Sequence, residues 1–529
     1  MIKNLIMLIG CIVLPWLLNG CTYLKYATVQ AEYAQLQDAD PSQVNLKHML
    51  DRETFFVYGQ TIDESNLYTD TSMAIAAYSS KFKQNERVDT MFFTGTGTHY
   101  GLNLPEGHYT FLVYADSNND QRFEPTEVVG KKHITLSTTT IPDKIKSRVD
   151  IPLTPPLHIT WANLIPRPKT LTLKQSLFYP TGTIRQLSDP LFNEEIATLG
   201  MYDPASFLEH APTMFYALEE DLGYKIPVVF VHGIGGSARS FAPIVEQLDK
   251  KHYRPWFFYY PSGGDLHQLA DFFYQLFLSG DVIPLGEMPL VIVAHSMGGL
   301  VVREAFNQYQ GSENENKVSL FVSIATPFGG HPSAALGEKH GLIVLPAWRD
   351  LNPNNKFIKT LYRNPLPDFM QHQLIYAYNN TSTVKLGDNS DGVVPLHSQL
   401  YPLAQQQSSA QFGFNSGHTN ILENQEMIKY LLNKISNVKN IYPAPQLKRL
   451  TAGGFNVTLS DKYSPTTQYL IKSVGEYLVC LAKGIIEPIN PDQARFVQAV
   501  QGKTISTNAL ENEFILFMNE YPDIVAAVN

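Results

Sequence analysis

Hydrophobic positions along this chain change their rhythm twice. From 226 to 378, short runs that are apolar at nearly every position alternate with helix-compatible segments. The runs are 226–232, 255–260, 289–295, 318–324 and 374–378, and helices are predicted near 238–249, 264–279 and 297–309. Apolar runs of this length between helices predict a mostly parallel sheet covered on both faces, joined by right-handed crossovers. From 51 to 154 the runs are shorter: Phe55–Gly59, Met73–Tyr78, Tyr109–Tyr114, Val128–Val129 and Val149–Ile151. Turn signals such as Pro105-Glu106-Gly107 and Ser117–Asp120 separate them, and no helical period appears. These features predict a small all-β, sandwich-like domain with Phe92, Tyr100 and Tyr109 in its core.

The stretches between are less regular. Residues 155–225 read as a connecting or wrapping segment, with a helix predicted over 212–222: Pro212 near its start, acidic residues at 219–221, and Gly223 to stop it. Residues 331–371 interrupt two strands with Pro346, Pro353, Pro365, Pro367 and Trp348, a length that predicts a lid or cap. Residues 434–529 form a C-terminal extension, in which Val457–Leu459 and Tyr469–Ile486 suit either strand or helix. The fold class is therefore α/β, with the sandwich-like domain at 51–154 and the larger unit at 226–433.

Composition narrows the class. A chain of 529 residues is too long for one core. With 44% hydrophobic and 17% charged residues it is globular, and a net charge of -9 without basic clusters excludes nucleic acid as a partner. The three cysteines, Cys11, Cys21 and Cys480, cannot form a disulfide framework, and Cys480 lies in the apolar run 477–481 as a buried, inert thiol. The first twenty residues carry Lys3 and then an apolar stretch from Leu5 to Leu18, short for a membrane span. Their end, Leu18-Asn19-Gly20-Cys21, resembles the bacterial lipoprotein signal. That resemblance implies a signal peptide at 1–20, lipidation of Cys21, a tether over 21–50 and anchorage to the membrane. The same resemblance implies, with Thr22 not acidic, sorting to the outer membrane of a Gram-negative cell, facing the periplasm or the surface.

The chemistry centres on Ala294-His295-Ser296-Met297-Gly298-Gly299, where a buried strand runs into a serine and a helix follows. A serine hydroxyl is a poor nucleophile unless a base sits beside it and an acid orients that base. Small residues two before and two after Ser296 let strand and helix approach. His418, after Gly417 and downstream of the last predicted strand, is the base candidate. Asp388 and Asp391 are the acid candidates. Asp391 is preferred because Asp-Gly followed by Val393-Val394-Pro395 sets a carboxylate at a tight turn. The turn His232-Gly233-Ile234-Gly235-Gly236 ends the first apolar run. Its Ile234 N–H and the Met297 N–H are candidate oxyanion donors, and His232 positions the turn. His295 reads as pointing to the opposite side of the elbow, where it either packs or supports the catalytic groups from behind.

These motifs, with Ala325-Thr326-Pro327-Phe328-Gly329-Gly330 and Ser390-Asp391-Gly392-Val393-Val394-Pro395, resemble the α/β-hydrolase superfamily, and within it bacterial lipases and serine esterases. The resemblance covers 226–433. It implies an α/β-hydrolase fold, a triad of Ser296, Asp391 and His418, and cleavage of acyl-ester or lipid substrates through an acyl-enzyme, with no cofactor required. Ala294 departs from the first glycine of the usual elbow by one methyl. An acyltransferase or thioesterase would use the same triad, and a non-catalytic envelope binding protein could use the same scaffold. Separately, Asp116, Asn118, Asp120, Glu124 and Glu127 place oxygens at spacings found in calcium loops, although Gln121 stands where such loops need glycine, so the segment reads either as an acidic turn or as a calcium site.

Overall fold

The computed structural model describes residues 54–528 except 80–85, 97–98, 121, 142–144, 163, 167–175, 180–181, 212, 281–286, 310–316, 341–343 and 380–388. The expected signal peptide, Cys11, Cys21, the tether and the alternative acid Asp388 lie outside the described residues.

Two sheets face each other in the amino-terminal region. The first has β1 (Thr54–Ile62) at its centre, with β4 (His99–Pro105) antiparallel on one side and β8 (Ile145–Lys146) and β9 (Ile151–Pro152) parallel to it. The second runs β3 (Glu86–Thr94), β2 (Ser72–Ser79), β5 (Gly107–Ala115), β7 (Val128–Leu136), all antiparallel. Every residue of β2 is buried. Met73, Ile75 and Ala77 face the other sheet. Ala74, Ala76 and Tyr78 are covered by Phe123, Ala162 and Ile165, from around the pair β6 (Arg122–Phe123) and β10 (Ile165–Pro166). A strand covered on both faces loses its alternation, which is why 73–78 reads as a continuous apolar run. Tyr100 and Tyr109 belong to the core between the sheets, and Phe92 packs on the outer one.

The larger sheet has the order β11 (Phe215–Ala217), β13 (Tyr253–Phe258), β12 (Ile226–Val231), β14 (Leu290–His295), β15 (Val318–Ile324), β16 (Gln371–Tyr378), β17 (Ala410–Asn415). All neighbours are parallel except β11 and β13. The four strands from β12 to β15 are buried almost throughout, as runs of this composition require. Helices cover the faces: α1 (Glu194–Tyr202), α2 (Pro204–His210), α3 (Ala242–Gln247), α4 (Leu266–Phe273, continued by a π turn, Tyr274–Leu278) and α5 (Met297–Tyr309). After β15 come α6 (Pro332–His340), α7 (Pro346–Leu351) and α8 (Lys356–Thr360), and after β16 come α9 (Leu396–Gln399), α10 (Pro402–Gln406) and α11 (Gln425–Ser436). This is the α/β-hydrolase fold with an amino-terminal β-rich region.

One expectation needs correction. Residues 215–217 form an edge strand, not a helix. Phe215 and Tyr216 are buried against β13, and Glu219 and Asp221 serve as partners for Lys225 and Arg254. The carboxyl-terminal extension is helical, from α12 (Ala444–Leu450) through α13 (Pro465–Ala482), α14 (Pro491–Val500) and α15 (Ala509–Glu520) to α16 (Pro522–Ala527), and 457–459 pairs with no strand. These helices share a core of their own around Ile471, Cys480, Phe514 and Phe517, to which Tyr224 also belongs. Burial pushes the Cys480 thiol above its usual range, away from thiolate chemistry.

The order of the large sheet sets where a ligand can sit. From β12 the chain goes to β13 on one side, then returns to β14 on the other. Such a reversal leaves a crevice at the carboxyl ends of β12 and β14. The turns 232–236 and 295–299 both leave from that crevice.

Candidate active site

Ser296 follows β14 with φ +54°, a left-handed conformation that a non-glycine residue adopts only when its surroundings impose it. Its N–H donates to Ile324 O at 2.8 Å, its carbonyl accepts from Gly299 N, and α5 starts at the next residue. The turn is possible because its neighbours are small. A Cβ on Gly298 would lie 2.5 Å from His232 O, and one on Gly233 would lie 2.7 Å from Ser296 Cβ.

Three residues separated by up to 122 positions meet at this elbow. The Ser296 hydroxyl donates to His418 Nε2 at 2.8 Å, and His418 Nδ1–H donates to Asp391 Oδ2 at 2.6 Å. The bonds assign the imidazole its tautomer: Nδ1 protonated, Nε2 free to take the serine proton. Asp391 sits at the turn before Val393-Val394. Its Oδ1 accepts from both of their N–H groups, at 2.9 and 2.7 Å, and its carbonyl accepts from His418 N at 3.0 Å. His418 comes from the loop after β17, a strand that the sequence reading did not anticipate. All three side chains are buried.

The glycine-rich turn after β12 faces Ser296. His232 is stacked on Tyr260 with ring centroids 4.2 Å apart. Its Nδ1–H donates to Gly233 O at 2.8 Å, and its Nε2 accepts from Tyr260 N at 3.3 Å. Burial holds its pKa down to about 4, so it stays neutral and fixes the turn. Within the turn, Gly235 N donates to Ser262 Oγ and Gly236 N to Gly233 O, so neither can hold an oxyanion. Ile234 and Met297 both border the cavity over Ser296, and Met297, as the first residue of α5, has an N–H that no preceding helical turn can use.

His295 was expected to face away, but it borders the same cavity. Its Nε2–H donates to the backbone carbonyl of His418 at 2.9 Å, and burial, with the neighbouring His418, pushes its pKa to about 3. It therefore acts as a neutral clasp on the loop that carries the base. Gln399, unnoticed in the sequence, is buried against the acid, its Nε2 3.1 Å from Asp391 Oδ2. A single glutamine outside any motif gives no signal that could have singled it out.

The cavity has a volume of about 480 Å³. Its apolar surface comes from Ile234, Met297, Pro327, Leu351, Val393 and Leu422, and its polar groups beyond the triad include His331 and Glu423. Leu351 and His331 belong to the 331–371 excursion. His331 Nε2–H donates to Val393 O at 2.8 Å, joining the start of the excursion to the acid turn. Its later part is fastened to α5 by a buried polar group. Glu304 accepts from His267, Asn307 and Arg363 at 2.8–3.0 Å, and Arg303 reaches Asn364 O and Gln407 Oε1. Those bonds join that half of the excursion to α5.

The 116–127 loop closes on itself. Glu127 accepts from Ser117 N, Asn118 N and Glu124 N, Asp116 and Asn118 both accept from Asp120 N, and Asp120 accepts from Arg122 N. Gln121 lies outside the described residues, and among those described no three histidine, cysteine or acidic side chains converge as metal ligands.

Comparison with known proteins gives partial likenesses. The lecithin:cholesterol acyltransferase family matches residues 264–476, less than half of the chain. A lysosomal thioesterase PPT2 homolog of Drosophila melanogaster is 27% identical over 124 residues, 22% of this chain, and the match spans 39% of that relative's length. Among solved structures, the mature Bacillus licheniformis lipase BlEst2 aligns over 41% of this chain and 97% of its own, at 18% identity and a TM-score of 0.31. Aspergillus fumigatus lipase B aligns over 52% and 65%, at 14% identity and a TM-score of 0.34. Phospholipase PlaB from Legionella pneumophila aligns over 41% and 60%, at 14% identity and a TM-score of 0.33.

Proposed function

We propose that this chain is a serine hydrolase that cleaves carboxylic acyl esters through an acyl-enzyme. The observation that carries the reading is the unbroken hydrogen-bonded chain from Ser296 Oγ through the imidazole of His418 to Asp391, with the serine open to a largely apolar cavity. His418 takes the hydroxyl proton as Ser296 Oγ attacks the ester carbonyl, and Asp391 stabilises the imidazolium. The oxyanion forms toward the N–H groups of Ile234 and Met297, where donors already in place cost no reorganisation. His418 then protonates the leaving alcohol, and water repeats the attack on the acyl-enzyme to release the acid.

The apolar walls supply the contact area for an acyl chain. In the same reading Cys21 carries the lipid and holds the enzyme at the outer membrane, next to lipid substrates; among the described residues no helix is long and apolar enough to cross a membrane. A second reading keeps the same acyl-enzyme and replaces water with another acceptor, or the ester with a thioester. The match to the acyltransferase family and the likeness to a thioesterase favour keeping it.

The test is labelling of the chain with a fluorophosphonate beside Ser296→Ala, then turnover of p-nitrophenyl esters of rising chain length. The expected result is label only where Ser296 is present, and a kcat loss on the order of 10⁴-fold or more in the variant. Equal labelling of both proteins would remove Ser296 from the mechanism. Appearance of a transacylated alcohol in place of the free acid would select the acyltransferase reading.

A further inference from the structure

We infer that Gln399 is the positioning residue of the catalytic acid and that only an amide can fill its place. The inference rests on the serine-hydrolase reading above. Gln399 ends α9 and is 1% exposed. Its side chain makes four contacts, each to a group that has to stay still. Oε1 accepts from Ala377 N at 2.9 Å. Nε2 lies 3.1 Å from each of Ala377 O, Val394 O and Asp391 Oδ2, so its two N–H groups are shared among three acceptors.

The exchange with Ala377 explains why the residue is an amide. The pairing of β15 with β16 ends at Ile324 and Ile375, two residues short of Ala377. Gln399 takes both bonds that a peptide of a longer neighbouring strand would make, one accepted and one donated. A carboxylate cannot donate and a hydrocarbon can do neither, so glutamate or methionine here leaves a buried N–H or carbonyl of β16 unmet.

The same amide controls the acid. Asp391 Oδ1 is held by Val393 N and Val394 N, which fixes one oxygen but lets the carboxylate swing about it. The terminal torsion of an aspartate is broad. Gln399 closes that freedom by donating to Oδ2, the oxygen that receives His418 Nδ1–H. The side chain thus sets the direction in which Asp391 presents its second oxygen, and with it the angle of the imidazole over Ser296. Its neighbour Ser398 ties α9 to the turn after β15: its hydroxyl donates to Gly330 O, and its carbonyl accepts from Gly329 N at 3.0 Å. Among the described residues, the titratable group that Gln399 bonds is Asp391, which in turn bonds His418. From β16 and from Val394 it meets backbone.

The two informative substitutions differ in charge. Gln399→Met removes the donor and adds no charge. Gln399→Glu sets a second carboxyl against Asp391, and two carboxylates at that distance hold one proton between them. That proton supplies the bond to Oδ2 while it remains, and its loss at higher pH drives the acid out of line.

The experiment measures kcat and KM for p-nitrophenyl butyrate from pH 5 to 10 with the full chain, Gln399→Met, Gln399→Glu and Ser296→Ala, alongside thermal unfolding and burst titration of active sites. The inference expects Gln399→Met to lose kcat by about tenfold or more per titrated site with KM within about twofold, and to keep the wild-type pH profile. It expects Gln399→Glu to gain an alkaline limb that the wild type lacks. Wild-type kcat in Gln399→Met, or a Gln399→Glu profile that superimposes on the wild type, overturns it while leaving the hydrolase reading intact. So does a loss in both variants that only tracks the fraction of folded protein, since a purely structural glutamine would behave that way. No turnover by the wild type above Ser296→Ala is the distinct failure of the hydrolase reading, and it overturns this inference as well.

Discussion

Ser296 and Gly233 share a contact so tight that each fixes what the other can be. The serine is held in a left-handed conformation, and the space over its Cβ is empty because Gly233 has none of its own. Gly233→Ala would bring a methyl 2.7 Å from Ser296 Cβ and 3.3 Å from its hydroxyl oxygen. The backbone of the 232–236 turn would have to withdraw, carrying with it Ile234 N–H, the proposed oxyanion donor. We expect a kcat loss on the order of 10²-fold, the size seen when one oxyanion donor is lost, with KM less affected. Steady-state kinetics on an ester substrate checks it, and a variant with wild-type kcat would show that the turn has slack. The motif residues Ser296, His418 and Asp391 were legible because their chemistry needs small neighbours and tight turns, which leave marks in sequence. Gln399 was not, and His295 was legible only as packing or support, without its partner. Their contacts are to a backbone carbonyl and a carboxylate that come from other segments, and the sequence neighbours of neither residue show this.

Among elements, the strands of the large sheet were the clearest in the sequence, and the edges of that sheet the least clear. β12, β14 and β15 are buried on both faces, so their composition is unambiguous. β17 is mostly exposed or half-buried and carries Gln411 and Gly413, so it does not read as an apolar run. α5 shows the opposite failure. Arg303 and Glu304 look like surface charges but are buried in the polar joint with the 356–364 segment.

α7 supplies a second joint. Asp350 Oδ2 accepts from Leu266 N at 2.9 Å, at the start of α4. Burial, then the nearby Asp265 carboxylate, push the Asp350 carboxyl up to about 8, while His267 and Arg349 pull the other way. A carboxyl whose folded value is raised gives stability that is complete below its unfolded value of about 4 and lost as pH rises to about 8. Asp350→Asn keeps an acceptor for Leu266 N and cannot ionise. We expect it to exceed the wild type in stability by on the order of 2 kcal/mol at pH 8.5, with the difference shrinking toward pH 5. Urea unfolding at the two pH values decides it, and an equal difference at both would exclude titration of Asp350 as the cause.

At the scale of the whole molecule, the cores of the β sandwich, the large sheet and the carboxyl-terminal helices meet, among the described residues, without sharing the site. The β sandwich reaches the large unit through Tyr58, whose ring lies 4.2 Å from Phe272 and whose hydroxyl donates to Asp271 at 2.9 Å. The carboxyl-terminal helices meet the large unit around Leu222 and Tyr224, just before β12 begins, whereas the triad lies where the strands end. Their stability and the chemistry should therefore separate. Phe514 is fully buried between Phe496 and Phe517. Phe514→Ala is expected to cost the helical unit about 3–5 kcal/mol while kcat per titrated active site stays within about twofold. Calorimetry with active-site titration tests this, and a parallel loss of kcat would mean that the helical unit supports the site.

Local chemistry settled much of this protein before any fold was known. Apolar runs long enough to be covered on both faces give parallel strands, and a serine between small residues after such a run gives an elbow, because both depend on interactions within a few residues. The sequence could also name Asp391 and His418 as candidates from their turns. Only tertiary structure decided that Ser296 Oγ, the imidazole and the carboxylate stand 2.8 and 2.6 Å apart in one line. It alone decided which side chains hold that line from behind, and that residues 444–527 form a helical unit with its own core. Those outcomes depend on which surfaces meet after the strands have ordered themselves, and side chains that meet across the sheet carry no record of one another in their own neighbourhoods.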